Sequence, residues 1–285
     1  MKEKQEVEME ASGKEARVCE RQLVPVTELW DEMRLKAEEI NAKEPNLQML
    51  LKGVILNQHC LGGALAARLS RKLAREDMGR AELEPFLFEI FANYPELVQS
   101  AAEDIIAICD RDPACESPLS PLLFYKGFAA ISTYRVSHQL WCDGRKDLAY
   151  YFQSLASEVF GVDIHPAARI GCGLFLDHAT SFVVGETAII EDQVSILHEV
   201  TLGGTGKESG DRHPIVRSGV LIGAGAKILG RVEVGEGAKV GAGSVVLADV
   251  AAHTTVAGVP AEVVGSTTEE NPAMGMCQSL FSSCL

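Results

Sequence analysis

The sequence contains no apolar run long enough to cross a bilayer. A membrane helix needs about 18 to 20 predominantly apolar residues, and no such stretch occurs among the 285 residues. The opening MKEKQEVEMEA alternates charges and lacks the apolar segment of a secretory signal. We therefore expect a cytoplasmic protein that has no membrane partner.

Basic charge is also scarce. The chain has 26 Lys and Arg against 40 Asp and Glu, which gives a net charge of -14. This balance disfavours nonspecific attraction to nucleic acid or to an anionic membrane. Because 47% of the residues are hydrophobic and 23% are charged, the composition excludes disorder throughout and predicts folded cores. We expect a protein that acts on small molecules.

Several motifs of catalytic and metal-binding proteins are missing. The eight cysteines form no C-x-x-C pair and no zinc-finger spacing, so we interpret them as free thiols. No serine or cysteine stands in a G-x-S-x-G context, which argues against a covalent acyl-enzyme. The chain also lacks a Rossmann or P-loop phosphate cradle. Direct group transfer is therefore favoured.

The chain changes character near residue 160. Before that point apolar residues recur at helical spacing, beginning with the run from Leu29 to Met33, and prolines mark predicted breaks, Pro85 among them. We predict several packed helices over residues 23–160. Residues 1–22 are rich in Glu and Lys without an apolar stripe, and we expect a mobile charged tail there.

After residue 160 a repeat of six replaces the helical spacing. An aliphatic residue opens each hexad, and the residue after it is often glycine. The thirteen hexad positions are Ile164, Ile170, Leu176, Val184, Ile190, Ile196, Leu202, Val216, Ile222, Ile228, Val234, Val240 and Val246. This period suits short strands joined by tight turns, with the aliphatic side chains in a narrow interior. A β-sandwich would instead show alternation with turns every 8 to 12 residues or so.

We therefore predict an α+β fold with a parallel β-helix over residues 161–265. The period is lost over residues 266–285, which we expect to be a mobile C-terminal tail. Between Leu202 and Val216 the polar, glycine-rich segment GGTGKESGDRHPI is too long for a turn. We predict a protruding loop there, and long loops in compact repeats are commonly functional.

Five of the seven histidines lie in the repeating half. A zinc site built from three of them is one alternative, but their separations of 13, 20, 15 and 40 residues contain no close pair to anchor it. We therefore predict no metal. His178 and His198 each follow a hexad aliphatic by two residues, which places them on one face of adjacent coils. We interpret His198 as a surface or coil-stacking residue.

His178 has the surroundings of a general base. It stands in LDHAT beside Asp177, and Asp163 lies about one coil earlier in VDIHP. A carboxylate within hydrogen-bond reach of an imidazole selects its tautomer and stabilises its charged form. The predicted chemistry is deprotonation of an acceptor that then attacks a bound acyl donor.

Taken together, these motifs resemble the serine acetyltransferases, a family of the hexapeptide-repeat acyltransferases. The matching segments are RDPACESPLSPLLFYKGF, YRVSHQLW, DIHPAARIG, LDHAT, VVGETA, SILHEVTLGGTGK, GDRHP, IGAGAKILG, VGAGSVV and HTTVAGVPA. The resemblance covers about residues 25–265, and RDPA combined with LDHAT and GDRHP is specific to the serine enzymes. It implies a left-handed β-helix acetyltransferase domain preceded by a helical oligomerisation domain.

The resemblance implies transfer of an acetyl group from acetyl-CoA to the hydroxyl of L-serine, giving O-acetyl-L-serine and CoA, as the first step of cysteine biosynthesis from serine. His178 matches the family's base, and Asp163 matches the carboxylate that orients it. The positions that match the substrate site are Asp112 and Asp177 for the serine ammonium group, with Arg212 and His213 for its carboxylate. Taken singly, Asp112 would also fit a helix or turn cap before Pro113, Arg212 an exposed loop charge and Asp163 a corner residue. Their joint occurrence in matched motifs favours the substrate roles.

For the donor, the resemblance implies a groove between the β-helices of neighbouring subunits. The matching positions are Gly204, Thr205, Ala224, Lys239 and Ala242. Lys239 would supply local positive charge for an anionic cofactor in an acidic protein. The family assembles as trimers, and the serine enzymes pair two trimers through their helical halves. We therefore expect a homohexamer in which the GDRHP loop contributes across a subunit boundary.

Two regulatory partners also follow from the resemblance. L-cysteine, which has a thiol where serine has a hydroxyl, is expected to occupy the serine pocket as a feedback inhibitor. The last residues of many relatives enter the active site of O-acetylserine sulfhydrylase. Here the chain ends in Leu285 where relatives typically have isoleucine. Ser181 and Phe182 also depart from the family, which tends to have Gly-Ile after HAT.

Three other functions are compatible with parts of the pattern. An acetyltransferase acting on a sugar or antibiotic hydroxyl would use the same histidine without needing Asp112 or the GDRHP charges. A metal-dependent hydratase is disfavoured by the histidine spacing. A non-catalytic scaffold that only binds the sulfhydrylase would not need His178 or Asp163.

Overall fold

The computed structural model describes residues 25–206, 209–267 and 269–279. Its first half is helical, as predicted, while the predicted tail over residues 1–22 lies outside the described part. The helices are α1 (Val26–Lys43), a 3-10 turn (Pro45–Leu47), α2 (Gln48–Leu51), a π turn (Lys52–Leu56), α3 (Leu61–Leu73), α4 (Arg80–Asn93), α5 (Pro95–Arg111), α6 (Leu119–Phe124), α7 (Lys126–Cys142) and α8 (Lys146–Phe160). No helix in these ranges is long and apolar enough to cross a membrane.

One predicted helix break is wrong. Pro85 lies inside α4 instead of ending a helix. Pro85 is the sixth residue of α4, so it lacks the amide hydrogen that would bond the carbonyl of Ala81, but its fixed φ of about -65° is itself helical and the helix continues past it. Pro45 and Pro95 do open helical segments, where a missing amide hydrogen costs nothing.

The second half is a parallel β-helix, which confirms the predicted fold class. Its strands are β1 (Val162–Ile164), β2 (Arg169–Ile170), β3 (Phe175–Leu176), β4 (Phe182–Val184), β5 (Ile189–Ile190), β6 (Ser195–Ile196), β7 (Thr201–Gly203), β8 (Ile215–Val216), β9 (Leu221–Ile222), β10 (Lys227–Leu229), β11 (Glu233–Val234), β12 (Lys239–Val240), β13 (Val245–Val246), β14 (Thr254–Gly258) and β15 (Ala261–Ser266). Three sheets form the sides of the coil, in the orders β1-β4-β7-β10-β13, β11-β8-β5-β2 and β15-β14-β12-β9-β6-β3.

The hexad aliphatics form the interior of the β-helix. Twelve of the thirteen are buried, and Ile170 is partly buried against the same core. Strand pairing keeps them in register from coil to coil, as in Leu176 opposite Ile196 and Ile196 opposite Ile222. The core continues without a gap into the helical half, so the two halves share one apolar interior.

The described end of the chain lies on the β-helix. β15 turns back antiparallel to β14, and a short helix α9 (Pro272–Gly275) follows. Ala273 is buried, and its carbonyl accepts a hydrogen bond from Ser195 Oγ at 2.9 Å. Cys277, which we expected to be a free thiol, is disulfide-bonded. Residue 268 and residues 280–285 of the predicted C-terminal tail lie outside the described part of the chain.

A buried ion pair joins the helices to the β-helix. Arg135 Nη2 on α7 lies 2.6 Å from Asp104 Oδ2 on α5, and both side chains are almost completely buried. The other carboxylate oxygen of Asp104 accepts a hydrogen bond from the amide of Leu174, just before β3. Removing one member of such a pair leaves an uncompensated charge in the core.

Asp104→Ala should therefore destabilise the fold by about 3–5 kcal/mol, since Arg135 would stay buried without its partner. The measurement is chemical unfolding followed by circular dichroism. Glu39→Ala serves as the control, because its pair with Lys36 is exposed and such pairs contribute roughly 0–1 kcal/mol. Equal losses in the two variants would contradict the assigned importance of the buried pair.

Candidate functional site

The register of the β-helix stacks equivalent positions into columns. The paired residues Leu176, Ile196, Ile222 and Val240 lie one above another on one sheet. The residues two positions after them, His178, His198, Ala224 and Ala242, therefore form a column at the corner where this sheet meets the sheet of β4. We call it the His178 corner. Two histidines stand at one end of the column and two alanines continue it.

The backbone at His178 adopts conformations that are rare for residues other than glycine. His178, Ala179 and Ser181 have φ values of 55°, 62° and 59°. Non-glycine residues in this left-handed region carry strain, which neighbouring contacts must balance. The amide of Ser181 donates to the carbonyl of Gly161 at 2.7 Å, and the carbonyl of Thr180 accepts from Glu199 at 2.7 Å.

The helical half also supports this corner. Lys126 Nζ, at the start of α7, donates to Thr180 Oγ1 at 2.5 Å. The next residue, Gly127, lies so close to β3 that an added Cβ would be 2.0 Å from the carbonyl oxygen of Leu176. Only glycine permits this approach. The start of α7 is thereby positioned directly beside His178.

The His178 side chain is open to solvent, with 74% of its surface exposed. Its Nε2 lies 3.8 Å from Asp177 Oδ2. The His198 ring is 5.8 Å away, centroid to centroid, which confirms that the two histidines share one face of adjacent coils. His198 Nδ1 is buried and has no hydrogen-bond partner among the described residues. An exposed imidazole beside a carboxylate is able to accept a proton from a bound molecule.

Asp112 is connected to the same corner through the helices. It follows α5, and its Oδ1 accepts from the amide of Ala114 at 2.9 Å. Tyr125, the residue before α7, faces this carboxylate. Burial raises the pKa of Tyr125, and a hydrogen bond with Asp112 raises it further. Since Lys126 reaches Thr180, Asp112 belongs to the side of the molecule that carries His178.

Arg212 and His213 lie at a different corner, where the protruding loop returns to β8. Arg212 Nη2 lies 2.6 Å from Glu186 Oε2, which lowers the pKa of that carboxyl. Thr187 Oγ1 accepts from the amides of Arg212 at 3.0 Å and His213 at 3.2 Å. We call this group the loop corner. It places the partly exposed guanidinium of Arg212 next to the buried imidazole of His213.

Hydrogen bonds set the tautomer of His213. The amide and the hydroxyl of Thr187 lie 3.2 Å and 2.9 Å from Nδ1, and both are donors to it. Burial lowers the pKa of His213, and Arg212 lowers it further. Neutral His213 therefore carries its proton on Nε2. An added Cβ on Gly185 would lie 2.1 Å from Nε2, so glycine is required at this contact.

Asp163 lies on the outer face of β1, and the structure does not bring it to His178. Its Oδ1 accepts a hydrogen bond from Gln153 Nε2 of α8 at 2.6 Å. No hydrogen bond or ion pair joins Asp163 to His178 within the described part of the protomer. The charges that act on His165, two residues along, are those of Glu186, Asp163 and Arg212. Asp163 is thus electrostatically grouped with the loop corner.

The predicted donor positions are divided in the same way. Ala224 and Ala242 belong to the His178 corner, where the carbonyl of Ala224 accepts from the amide of Gly243. Gly204 and Thr205 begin the protruding loop, and Gly204 lies beside His213 and Arg212. Lys239 projects from β12, and its Nζ donates to the carbonyls of Cys277 at 3.0 Å and Ser279 at 2.5 Å.

The two corners lie at opposite ends of β4. At a strand rise of about 3.3 Å per residue, the strand and its flanking turns separate them by roughly 15 Å. A single amino acid spans far less than this distance. One chain therefore presents two separate groups: an imidazole with carboxylates at the His178 corner, and cationic and amide donors at the loop corner.

Three supporting residues were absent from the sequence predictions. Thr187 accepts hydrogen bonds from the loop corner, Gln153 donates to Asp163, and Gly127 allows α7 to lie close to β3. Gln153 and Gly127 lie in helices that give no sign of which coil they contact. The only available signal for Thr187 was its place in the matched VVGETA segment. Within the described ranges, no cluster of three or more His, Cys, Asp or Glu side chains is arranged to hold a metal ion.

Two protein families match the two halves of the chain. Residues 29–133 match the family described as "Serine acetyltransferase, N-terminal". Residues 213–248 match "Bacterial transferase hexapeptide (six repeats)". A curated relative from Salmonella typhimurium, "Serine acetyltransferase", is 52% identical over 250 residues, which cover 88% of this chain and 92% of the relative.

Solved structures match with the same fold and carry different ligands. A serine acetyltransferase from Brucella abortus in complex with Coenzyme A is 52% identical, with a TM-score of 0.82 over 84% of this chain and 96% of that one. A serine acetyltransferase complex with cysteine is 51% identical, with a TM-score of 0.87 over 89% and 98%. A soybean serine acetyltransferase complexed with serine is 48% identical, with a TM-score of 0.82 over 85% and 100%.

Thr187→Val should loosen the loop corner, because it removes the hydroxyl that accepts from the amides of Arg212 and His213. One hydrogen bond contributes about 0.5–1.5 kcal/mol, so these amides should exchange about 2- to 10-fold faster with deuterium. Hydrogen exchange read by mass spectrometry on peptides covering residues 209–217 measures this. Thr187→Ser keeps the hydroxyl and should exchange like the unmodified chain. Unchanged exchange in Thr187→Val would remove Thr187 from its positioning role.

Proposed function

This chain belongs to the serine acetyltransferase family, and we propose that it transfers the acetyl group of acetyl-CoA to the hydroxyl of L-serine. The products are O-acetyl-L-serine and CoA, and the reaction is the first step from serine to cysteine. The observation that carries the proposal is the exposed imidazole of His178 at the end of a column of small residues, in a chain about half identical to serine acetyltransferases.

His178 is the general base in this proposal. Its ring takes the proton of the serine hydroxyl as the oxygen attacks the thioester carbonyl carbon. The tetrahedral intermediate then collapses, the carbon–sulfur bond breaks, and the CoA sulfur takes the proton from the imidazolium. A carboxylate beside the ring stabilises the charged form during the transfer. Asp177 lies beside the ring in the same chain, at 3.8 Å from Nε2.

The substrate carboxylate and ammonium group call for opposite charges. We assign the ammonium group to Asp112 and Asp177, which lie at or beside the His178 corner. The carboxylate is assigned to Arg212 and to the Nε2 proton of His213. A serine carboxylate would share the Arg212 guanidinium with Glu186, which pairs with Nη2, and with the carbonyl of Gly210, which accepts from Nη1 at 3.2 Å. These contacts would direct the hydroxyl toward the thioester.

The separation of the two corners supports a site between subunits. In a trimer, the His178 corner of one subunit would face the loop corner of its neighbour. Asp163 would arrive with Arg212 and His213, since it is grouped with them in the protomer. On this arrangement the carboxylate that orients His178 comes from the adjacent chain.

The same boundary would form the groove for acetyl-CoA. Ala224 and Ala242 would line one wall, with small side chains that leave room for a narrow pantetheine arm. Gly204 and Thr205 of the neighbouring subunit would line the other. Lys239 would meet the anionic end of the cofactor, and it would have to exchange its present carbonyl acceptors, Cys277 and Ser279, for that ligand.

The helical half is the proposed contact between two trimers. Large apolar side chains are exposed there, among them Leu35, Met49 and Phe88. Exposed apolar side chains of this size are typical of subunit interfaces. We propose a homohexamer, which sedimentation equilibrium would test directly as a particle with the mass of six chains.

L-cysteine is the proposed feedback inhibitor, since its ammonium and carboxylate groups match those of serine. One relative has been solved in complex with cysteine. Docking of the C-terminal end into O-acetylserine sulfhydrylase concerns Leu285, which lies outside the described residues. That interaction and the cytoplasmic location stay predictions from the sequence.

Loss of the proposed base should reduce turnover strongly. His178→Ala should lower kcat by about 10²- to 10⁴-fold, the usual contribution of a positioned general base. The measurement is thiol release from acetyl-CoA with L-serine, D-serine, a galactoside or no acceptor, with and without chelator. His59→Ala, an exposed histidine of the helical half, is the matched control. Near-normal turnover in His178→Ala, or equal rates with a galactoside, would refute the proposal.

Mixed oligomers test whether the site spans a subunit boundary. Arg212→Ala should raise the KM for serine and leave the KM for acetyl-CoA unchanged. When His178→Ala and Arg212→Ala chains are co-expressed, about one quarter of the boundaries in a cyclic oligomer should combine an intact His178 with an intact Arg212. At serine concentrations far below the KM of Arg212→Ala, activity should return to about that fraction, and Asp163→Asn should complement His178→Ala in the same way. Absence of any recovery would place all these residues in one subunit.

A further inference from the structure

Two cysteines on either side of Asp112 are in direct contact. Cys109 Sγ on α5 lies 3.4 Å from Cys115 Sγ in the loop that follows. Both are free thiols and both are partly buried. A disulfide bond has a length of about 2.05 Å, so the two sulfurs need to approach by little more than one ångström. The chain between them is CDRDPAC, with Asp112 at its centre.

The turn that carries Asp112 is built on Cys115. The amide of Cys115 donates to the carbonyl of Asp112 at 2.9 Å, and the amide of Ala114 donates to the Asp112 side chain at 2.9 Å. Tyr125 faces both Asp112 and Cys115. A displacement of Cys115 toward α5 would therefore move the backbone and the carboxylate of Asp112 as one unit.

We propose that Cys109 and Cys115 form a reversible disulfide that weakens binding of the amino-acid substrate. The effect on substrate rests on the proposed role of Asp112 in holding the serine ammonium group, while the bond itself does not depend on that role. The oxidant is a low-molecular-weight disulfide such as glutathione disulfide.

The exchange proceeds in two steps. The Cys115 thiolate attacks one sulfur of the small disulfide, forms a mixed disulfide and releases one small thiolate. The Cys109 sulfur then attacks Cys115 Sγ, closes the intramolecular bond and releases the second thiolate. Two electrons pass from the protein to the small disulfide, and the two protein thiol protons leave with the two small thiols.

Cys115 is the better placed first nucleophile. It stands between the exposed residues Ala114 and Glu116, where a small disulfide can reach it. Cys109 extends from the helix into partly buried surroundings, and burial raises the pKa of its thiol, with the contact to Cys115 raising it further. Cys109 is thus suited to resolve a mixed disulfide formed on its neighbour.

The first readout is chemical and independent of activity. Trypsin cleaves after Arg80, Arg111 and Lys126, so Cys109 and Cys115 fall on separate peptides, residues 81–111 and 112–126. After treatment of the reduced, full-length protein with glutathione disulfide, mass spectrometry should find these peptides joined and released by dithiothreitol. Failure to find the joined pair would overturn the proposal. Cys109→Ser and Cys115→Ser should each abolish it, while Cys142→Ser, at an exposed free thiol, should not.

The second readout is kinetic. Oxidation should lower kcat/KM for serine by about tenfold or more, because a misplacement of about 1 Å at a substrate contact has effects of this size. The KM for acetyl-CoA should not change, and dithiothreitol should restore the serine value. Cys115→Ser should show no response to the oxidant. A joined peptide pair with unchanged serine kinetics would overturn the regulatory effect.

Asp112→Asn in the reduced enzyme separates this proposal from the function on which it rests. If that variant keeps a normal KM for serine, the assignment of Asp112 is refuted, whatever the disulfide does. If it raises the KM while oxidation of the parent protein does not, the assignment of Asp112 stands and the control by the cysteine pair is refuted.

Discussion

The in-register stacking of parallel coils is the constraint on which the rest of this structure depends. Each hexad aliphatic is held above its equivalent in the previous coil by strand pairing, and its burial makes any slip costly. Residues that follow their hexad aliphatic by the same number of positions therefore lie one above another in columns. That rule alone brings His178, His198, Ala224 and Ala242 together, although they are far apart in the chain. The loop between Leu202 and Val216 leaves the coil and returns without breaking the register, since both residues still pair with the coil before them.

The helical half contributes a second constraint, because its contacts with the β-helix fix where the helices lie against the coils. Gly127 touches the backbone of β3, Tyr134 Oη donates to the carbonyl of Ala168 at 2.5 Å, and the Asp104–Arg135 pair is linked to the amide of Leu174. These contacts lie on α5, which ends at the Asp112 turn, and on α7, which begins after Tyr125. The helical half, for which the resemblance implies oligomerisation, thus also positions the turn that carries Asp112, a candidate substrate contact.

The cations assigned to the ligands are already engaged within the chain. Arg212 is paired with Glu186, and Lys239 donates to backbone carbonyls near the described end of the chain. In a protein with a net charge of -14, anionic ligands must compete with these internal acceptors. Binding of an anionic ligand then depends more on a site that offers several hydrogen-bond donors at once than on attraction by the net charge of the protein. This favours a site assembled from two surfaces over one formed on a single surface.

The architecture could be predicted from the amino-acid sequence, because a six-residue aliphatic period indicates a coil of short strands. Each hexad aliphatic is then expected to be buried inside that coil. The sequence also identified the candidate site residues through motif matches, and it placed His178 and His198 on one face. It did not predict that Pro85 lies inside a helix, or that Asp163 accepts a hydrogen bond from Gln153. Contacts such as those of Gln153 with Asp163 and Thr187 with His213 join residues far apart in the chain, and no local pattern encodes them. The three-dimensional fold was needed to show that the candidate residues divide between two corners, since that separation depends on the width of the coil and the direction in which each turn projects.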